Sequence, residues 1–344
     1  MSPQPNRRSR DRPPSGCLRA LLVNCALALS SIALFLAVVE LGLRLSGFSY
    51  VLVPQDIEFG KPDPVLLETG FLADPDLFWV TRDYPDKLAR LATERPPLLF
   101  MGDSCTHLGH YDDELAGLVA TRRQTRLRFG NLGVAGWSTH QGRRQLERDV
   151  LPLAPAVLTF YYGWNDHWVG FGIEDKNVAL ANRVFTSAWG RSRVVQLTMQ
   201  GVIAIGARQT AYPNRVSRID FEANLRSMIR QASAQGIEPV LITAATSHRR
   251  GEEPPELALR WLRELEDLVP LHLAYTESVR QVADAEDAIL CDAAARFAEL
   301  PRPQIESSFM ADGIHLTAEG DRRLAEFLYA CFERQGLWDR IVGS

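Results

Sequence analysis

A run of twenty residues without a charge, from Ala20 to Val39, constrains the architecture of this chain more than any other feature. At about 1.5 Å per residue, a helix of this length spans roughly 30 Å, the thickness of the hydrocarbon core of a bilayer. The first 19 residues contain five Arg and one Asp, so the positive-inside rule predicts that they stay in the cytoplasm. We therefore expect a single-pass anchor at residues 20–39 in the cytoplasmic (inner) membrane, with the rest of the chain periplasmic or extracellular.

Two other interpretations of this apolar run remain open. A cleaved signal peptide has a shorter apolar region that ends in a small-x-small site, and residues 38–41 offer no such pattern. A buried helix of a soluble protein is the third interpretation, which an Arg-rich segment directly before the run disfavours. Residues 1–19, rich in Pro, Ser and Arg, are expected to form a disordered cytoplasmic tail.

Charge and cysteine content argue against several classes of partner. The first 19 residues carry +4 and the whole chain −4, so the remainder of the chain is acidic, at −8. Nucleic acids are bound through clustered cations, and we expect no nucleic-acid partner for an acidic body without a basic stripe. The five Cys form no C-x-x-C pair, and we predict neither a metal nor a cofactor. A disulfide among Cys105, Cys291 and Cys331 remains open.

After a predicted connector over residues 40–95, short apolar runs alternate with helical patterns. The runs predict five strands, at 98–101, 127–132, 156–161, 239–243 and 288–291. Helices are predicted at 139–150, 220–235, 256–283 and 317–334. This alternation predicts a five-stranded parallel sheet covered by helices on both faces, an α/β three-layer sandwich over residues 96–344.

Residues 167–216 interrupt this alternation and are predicted to be an insertion. They include the uncharged run Val194–Ala207, whose fourteen residues are too few to span a membrane. The segment is a lid over the site, a helix on the membrane surface or an extra helix packed on the core. The sequence does not choose among these three.

Four short motifs fall where predicted strands end or just before the last helix. They are Gly102-Asp103-Ser104, Asn131-Leu-Gly-Val-Ala-Gly136, Gly163-Trp164-Asn165-Asp166 and Asp312-Gly-Ile-His315. Each motif alone is weak, because such sequences are also typical of turns and helix caps. In parallel α/β sheets, however, sites form beyond the carboxyl ends of the strands, so these motifs are expected to meet.

In this combination and order, the motifs resemble the four blocks of the SGNH (GDSL-type) hydrolases over residues 97–335. The resemblance identifies Ser104, Gly136, Asn165 and His315 as the four block residues, with Asp312 as the partner of the histidine. It implies a flavodoxin-like α/β/α sandwich. It also implies ester hydrolysis or acyl transfer.

These residue types suit nucleophilic catalysis. A serine hydroxyl is a weak nucleophile until a base removes its proton, and a histidine with a pKa of about 6.5 suits that task. Asp312 is expected to accept the other ring N–H of His315 and to hold its tautomer. The backbone N–H groups of Ser104 and Gly136 and the side-chain amide of Asn165 are candidate donors to the oxyanion. Glycine at position 136 also lets a substrate approach the backbone closely, since it has no Cβ.

Several neighbouring residues are candidates for other roles. Asp103, Trp164 and His167 are candidate substrate contacts, although aromatic rings are more often plain packing. His107 and His110 are expected to have solvated or capping roles. The chain has no G-x-S-x-G elbow, which argues against an α/β-hydrolase, and no H-E-x-x-H motif, which argues against metal-assisted hydrolysis.

The sequence thus predicts an extracytoplasmic serine esterase that hydrolyses an acyl ester, above all an acetyl ester on a carbohydrate, through an acyl-enzyme on Ser104. The alternative is an O-acyltransferase that uses the same triad on an envelope or exopolysaccharide glycan. A lipid esterase, supported by the apolar run at 194–207, and an inactive glycan-binding protein are two further alternatives. The oligomeric state remains open.

Overall fold

The computed structural model describes residues 15–50, 70–169, 174–210, 213–257 and 262–343. Seven strands lie at β1 Phe71–Asp74, β2 Phe78–Thr81, β3 Leu98–Gly102, β4 Phe129–Asn131, β5 Val157–Tyr161, β6 Glu238–Ile242 and β7 Ile289–Cys291. The helices are α1 Ser15–Leu45, α2 Tyr84–Glu94, α3 Ser104–His107, α4 Tyr111–Arg123, α5 Thr139–Gln145, α6 Trp164–His167, α7 Asp175–Thr186, α8 Arg193–Thr210, α9 Arg218–Ala234, α10 Leu268–Ala285, α11 Ala293–Ala298, α12 Arg302–Ser308, α13 Ala318–Arg334 and α14 Trp338–Val342.

Five of the strands form one parallel sheet in the order β4-β3-β5-β6-β7. Numbered along the sheet-forming segments alone, this is the 2-1-3-4-5 order of flavodoxin-like folds. The order reverses between β3 and β5, which opens a crevice at the carboxyl ends of these two strands. The predicted five-stranded α/β/α sandwich is confirmed, and the crevice is the place where its polar motifs converge.

The central strands are continuously apolar because helices cover both faces of the sheet. In β3, Leu98 and Phe100 join one buried cluster, which includes side chains of α4 and α13. Leu99 and Met101 point the other way and join a second cluster, with side chains of β2 and α2. All five residues of β3 and of β5 are buried, as expected for inner strands.

The helices that precede and follow β5 and β6 agree with the sequence patterns, with two differences. The pattern over 256–283 predicts one long helix, but regular α-helix begins only at Leu268. Before it lie isolated 3₁₀ turns at Pro255–Leu257 and Leu265–Asp267. Pro270 explains the start, because proline is tolerated in the first turn of a helix and breaks one further along. A smaller difference is that α5 ends at Gln145 and continues as a π-helical turn.

The segment before the first sheet strand belongs to the packed domain from residue 71 onward. Strands β1 and β2 pair antiparallel, and α2 follows them directly. Leu77, Phe78 and Trp79 are buried in the cluster that contains Leu99 and Met101 of β3. These residues fall within the predicted connector over residues 40–95, which was predicted because the sequence there is rich in Pro and Asp and weakly periodic.

The N-terminal helix α1 is the one helix of the described residues that is long and apolar enough to cross a membrane. Residues 19–38 are exposed on every side of the helix, so the rest of the protein does not cover them. Only the end of the helix, around Val39, Glu40 and Leu43, is half-buried against the insertion. The Arg-rich residues 1–14 lie outside the described residues.

The insertion contains α7, a 3₁₀ turn at Ala188–Arg191 and α8. Val178 and Ala181 of α7 and Ile203 of α8 are buried in the cluster of β2 and α2. Both helices therefore pack on the domain by one face. The opposite face of α8 is exposed.

A disulfide joins Cys291, the last residue of β7, to Cys331 in α13. Of the three candidate cysteines, this leaves Cys105 as a buried free thiol, and burial raises its pKa well above the ordinary value. The bridge ties the edge strand of the sheet to the helix that follows the Asp312–His315 loop.

Candidate active site

Ser104 is presented by a sharp change of direction at the end of β3. The strand ends at Gly102, and the short helix α3 begins with Ser104 as its first residue. The Asp103 carboxylate caps this helix by accepting a hydrogen bond from the backbone N–H of Cys105 at 2.9 Å. Gly102 has no Cβ, which would otherwise meet the Thr106 side chain at 2.1 Å. The tight turn therefore fixes the position of the Ser104 hydroxyl.

Ser104, His315 and Asp312 form a continuous chain of hydrogen bonds. The Ser104 Oγ atom lies 2.8 Å from Nε2 of His315. The other ring nitrogen, Nδ1, lies 2.6 Å from Oδ2 of Asp312. Because a carboxylate can only accept, Nδ1 carries the proton and Nε2 is free to accept from the hydroxyl. The Asp312 Oδ1 atom is itself held by the backbone N–H groups of Ile314 and His315.

The charges and hydrogen bonds around His315 make its ring more basic. Burial alone would lower the pKa of His315, but the hydrogen bond and negative charge of Asp312 outweigh burial and raise it. Burial would raise the pKa of Asp312, whereas hydrogen bonds from His315 and the backbone of Ile314 keep it below its usual value. Asp312 is therefore ionised near neutral pH and stabilises a protonated His315 ring.

Asn165 lies in the loop after β5, at the start of the neighbouring short helix α6. Its side-chain Nδ2 group donates to Oδ2 of Asp103 at 3.3 Å. An amide nitrogen carries two N–H bonds, so one remains for a ligand beside Ser104. Burial raises the pKa of Asp103 to about 6, partly offset by the backbone N–H of Cys105. The contact brings the loops after β3 and β5 together.

Gly136 lies in the loop after β4 with a φ of 80°, a conformation that favours glycine. Its carbonyl oxygen accepts a hydrogen bond of 2.7 Å from Nη1 of Arg215. Arg215 is fully buried and forms an ion pair with the equally buried Asp175 at 2.9 Å. The end of the insertion thus holds the peptide at Gly136. Sequence reasoning missed Arg215, and no local pattern around it points to this contact.

The loop after β6 holds the Asp312–His315 loop in place and was also missed. Nε2 of His248 donates to the backbone oxygen of Asp312 at 2.7 Å. The Thr246 hydroxyl and the Ser247 N–H both donate to the oxygen of Gly313. Gly313 has a φ of 68°, and a Cβ there would meet the His248 ring at 2.5 Å. Sites form beyond the carboxyl ends of the strands, so the same rule applied to β6 would have identified Thr246, Ser247 and His248 as candidates.

The three candidate substrate contacts are buried. Asp103 and Trp164 are each 1% exposed and His167 is fully buried. Trp164 stacks on the His272 ring with centroids 3.9 Å apart, and Nε2 of His167 lies 3.3 Å from Nδ1 of His272. Aromatic packing against His272 buries Trp164 and His167, whereas Asp103 is buried with hydrogen bonds from Cys105 and Asn165. The side chains of Asp103, Trp164 and His167 are therefore not accessible to a substrate.

The two histidines that follow Ser104 have separate environments. Nδ1 of His107 donates to the backbone oxygen of Gly133 at 3.2 Å and so links the loops after β3 and β4. Burial lowers the pKa of His107. His110 is exposed at the N-terminus of α4, 3.9 Å from Asp113. In the part of the chain that the structure describes, no group of three His, Cys, Asp or Glu side chains is arranged to hold a metal ion.

The assembled groups can carry out acyl transfer. A hydroxyl contacts a base, the base contacts an ionised carboxylate, and the loops bearing Gly136 and Asn165 surround the same strand ends. This is the set of groups required to form and stabilise a tetrahedral intermediate at an ester carbonyl.

Comparison with solved structures finds similar folds at low sequence identity. A lipase/acylhydrolase from Enterococcus faecalis is 18% identical, with 70% of this chain and 96% of that chain covered and a TM-score of 0.46. A GDSL-like lipase from Bacteroides thetaiotaomicron is 16% identical, with 74% and 98% covered and a TM-score of 0.47. An acetylxylan esterase from Geobacillus stearothermophilus is 18% identical, with 69% and 92% covered and a TM-score of 0.43. Comparison with curated proteins gave no match.

The family comparison is specific. The model of the GDSL-like lipase/acylhydrolase family matches residues 100–323, about two thirds of the chain. That range contains Ser104, Gly136, Asn165, Asp312 and His315. The resemblance seen in the four motifs is confirmed by this match, and the chain belongs to the GDSL-like lipase/acylhydrolase family of ester-acting hydrolases.

Proposed function

We propose that this protein is an extracytoplasmic serine esterase that removes a short acyl group, above all acetyl, from a carbohydrate. The observation that carries the proposal is the unbroken chain of hydrogen bonds from Ser104 through His315 to Asp312. Such a chain activates a hydroxyl that is otherwise a weak nucleophile near neutral pH.

In the proposed reaction, the Ser104 oxygen attacks the ester carbonyl carbon while its proton passes to Nε2 of His315. The backbone N–H groups of Ser104 and Gly136 and the Asn165 amide stabilise the oxyanion. The bond to the alcohol oxygen then breaks, and His315 returns its proton to that oxygen. Water, deprotonated by His315, attacks the acyl-enzyme in the same way and releases the acid with Ser104 restored.

The surroundings of Ser104 support a short acyl group. Three cavities formed by the described residues, of about 890, 480 and 370 Å³, are lined by residues other than Ser104, Asp312 and His315. The two side chains that follow Ser104, those of Cys105 and Thr106, are buried. A long acyl chain needs an apolar channel to leave water, because each buried CH₂ contributes about 0.8 kcal/mol.

Two features support a location outside the cytoplasm. The apolar helix α1 follows an Arg-rich segment, which the positive-inside rule assigns to the cytoplasm. The disulfide between Cys291 and Cys331 fits an oxidising compartment, since cytosolic thiols are kept reduced. Envelope or extracellular glycans are the acylated carbohydrates that an enzyme tethered in this way would meet.

An acyl-chain series tests the acyl preference. Full-length protein in detergent is assayed with p-nitrophenyl esters from acetate to palmitate, with Ser104→Ala as the inactive control. We expect kcat/KM to be highest for acetate and to fall with chain length. The highest value for palmitate would instead support a lipid esterase.

A second assay distinguishes hydrolysis from acyl transfer. Transfer is compatible with the membrane tether if a membrane-bound donor supplies the acyl group. An ester donor with a labelled acetyl group is incubated with the protein, with and without a polysaccharide acceptor. Hydrolysis predicts free labelled acetate in both reactions at equal rates. Label that appears on the polysaccharide with the unmodified protein but not with Ser104→Ala would instead support the O-acyltransferase.

A further inference from the structure

The insertion carries an exposed apolar face next to the anchor. In α8, Gln196, Met199 and Ile203 recur at i, i+3 and i+7 and face the domain. On the opposite side of the helix, Leu197, Val202 and Ile205 are 41%, 60% and 60% exposed, and Trp189, in the turn before the helix, is 74% exposed. The run Val194–Ala207 contains no charge. A solvent-facing helix normally presents charged and polar residues on its outer face, so the composition of this face is that of a surface covered by an apolar environment.

The start of α8 is fixed to the end of the anchor helix α1. Both the Ser192 hydroxyl and the Val194 N–H donate to Oε2 of Glu40 at 2.9 Å. Arg44 donates to the backbone oxygen of Arg191 at 2.9 Å. Glu40 is the first charged residue after the apolar run 20–39. These bonds hold the start of α8 at the level where the anchor leaves the hydrocarbon of the membrane.

The connection continues beyond the end of the anchor. The Tyr50 N–H donates to Oε1 of Gln196, and Arg193 donates to both Ser49 and Gln196. The chain leaving α1 is thus bonded along the first turn of α8. Anchor and insertion form one joined unit, and α8 has a fixed height relative to the membrane once α1 is inserted.

We propose that residues 188–205 lie on the outer surface of the lipid bilayer, with Trp189, Leu197, Val202 and Ile205 inserted at the boundary between headgroups and acyl chains. The proposal rests on the proposed membrane anchor. Amphipathic helices of this kind bury their apolar face about 5–10 Å into the interface. Arg191 and Arg193, at the start of the segment, match the negative charge of anionic lipid headgroups.

A bilayer fits this face better than a second protein does. The start of α8 is bonded to Glu40, directly after residues 19–38 of α1, which are exposed on all sides and have the hydrocarbon core as their proposed environment. A lipid surface that surrounds α1 at the level of Glu40 therefore adjoins the start of α8 without any further partner. The consequence is that the catalytic domain has a fixed orientation on the membrane instead of rotating on a flexible tether.

Site-directed spin labelling of the full-length chain tests this arrangement. Cys17 and Cys25 are replaced by Ser, and Cys105 is kept because its free thiol is buried. One exposed cysteine is then introduced by Val202→Cys or Ile205→Cys for nitroxide labelling in nanodiscs of zwitterionic and anionic phospholipid. Ile219→Cys is the matched control, because Ile219 is an aliphatic residue of the domain that is 81% exposed on α9. Leu29→Cys, in the middle of α1, reports insertion of the anchor independently. Thermal unfolding of each labelled variant establishes that it is folded.

Collision rates with oxygen, which concentrates in lipid, and with a water-soluble nickel chelate give the depth of each label. We expect the labels at 202 and 205 to show a higher ratio of oxygen to nickel collisions than the label at 219. Equal ratios at 202, 205 and 219, with Leu29 in lipid, would overturn the surface contact while the anchor stands. Low collision rates with both reagents at 202 and 205 would mean protein coverage and would also overturn it. A water-exposed label at Leu29 would refute the anchor itself.

Discussion

The Nε2 atom of His315 lies 2.8 Å from the Oγ atom of Ser104, although 211 positions separate the two residues along the chain. The two residues come into contact because the loop after β3 and the loop before α13 both lie at the carboxyl edge of the parallel sheet. The Asp312 carboxylate completes the chain at 2.6 Å from the other ring nitrogen.

Asn165→Ala removes one proposed donor to the oxyanion. We expect kcat to fall by about two to three orders of magnitude, because a lost oxyanion donor costs about 2.7–4 kcal/mol of transition-state stabilisation. Steady-state kinetics with an acetyl ester measure the effect. The matched control is Asn182→Ala, since Asn182 is also a buried asparagine but donates to the backbone of Asp74 and Pro75. Equal losses in both variants would mean that Asn165 acts only through folding.

The acid limb of the pH profile should report His315. The ring must be unprotonated to accept the Ser104 proton, and its pKa is raised. Activity therefore starts to fall at a higher pH than for an ordinary histidine, with an apparent pKa above about 6.5 in kcat/KM. Asp312→Asn removes the negative charge that raises the pKa and should move the limb to lower pH, with a loss of turnover of about 10⁴. If the acid limb does not move in Asp312→Asn, the titration that it reports belongs to another group, such as Asp103.

Arg215→Met tests the buried support of the Gly136 loop. This change removes the cation that faces the buried Asp175 carboxylate, and we expect the free energy of unfolding to fall by about 3–5 kcal/mol. Arg230→Met is the control, because the ion pair of Arg230 with Glu286 involves a largely exposed side chain, and such pairs contribute about 0–1 kcal/mol. Denaturant titration of both variants measures the difference. Similar losses would contradict the importance assigned to Arg215.

Much of this site follows from local sequence patterns. The apolar run before Ser104 is bounded by Pro97 and Gly102, and this pattern indicates a short buried strand with a turn directly after it. Asn165 and Gly136 also follow apolar runs, and the strand-end rule brings their loops together. Asp312 and His315 lie three positions apart, so their contact needs only a local turn.

Other parts of the site depend on contacts that the sequence does not encode locally. Arg215 reaches Gly136 across 79 positions, and nothing in its neighbourhood indicates burial. Trp164 and His167 flank Asn165 in sequence, but the packing of His272 from α10 turns them into the core. The sequence pattern also does not choose a disulfide among three cysteines, because the choice depends on how α13 lies against β7.

The disulfide should contribute substantially to stability. Closing a loop over a sequence separation of 40 corresponds to about 4 kcal/mol in the chain-entropy model. The double variant Cys291→Ala/Cys331→Ala should therefore unfold at a lower temperature than the unmodified protein. A reductant should lower the melting temperature of the unmodified protein and leave that of the double variant unchanged. A Cys25→Ser variant, which keeps the bridge, should respond to the reductant as the unmodified protein does.

Trapping the covalent adduct shows whether Ser104 is the nucleophile. The full-length protein is treated with a fluorophosphonate, which reacts with activated serines, and the modified peptide is identified by mass spectrometry. We expect one stoichiometric adduct on Ser104, which forms much more slowly in Asp312→Asn and is absent in Ser104→Ala. An unmodified Ser104 in protein that hydrolyses an acetyl ester, or undiminished hydrolysis by Ser104→Ala, would contradict this role of Ser104.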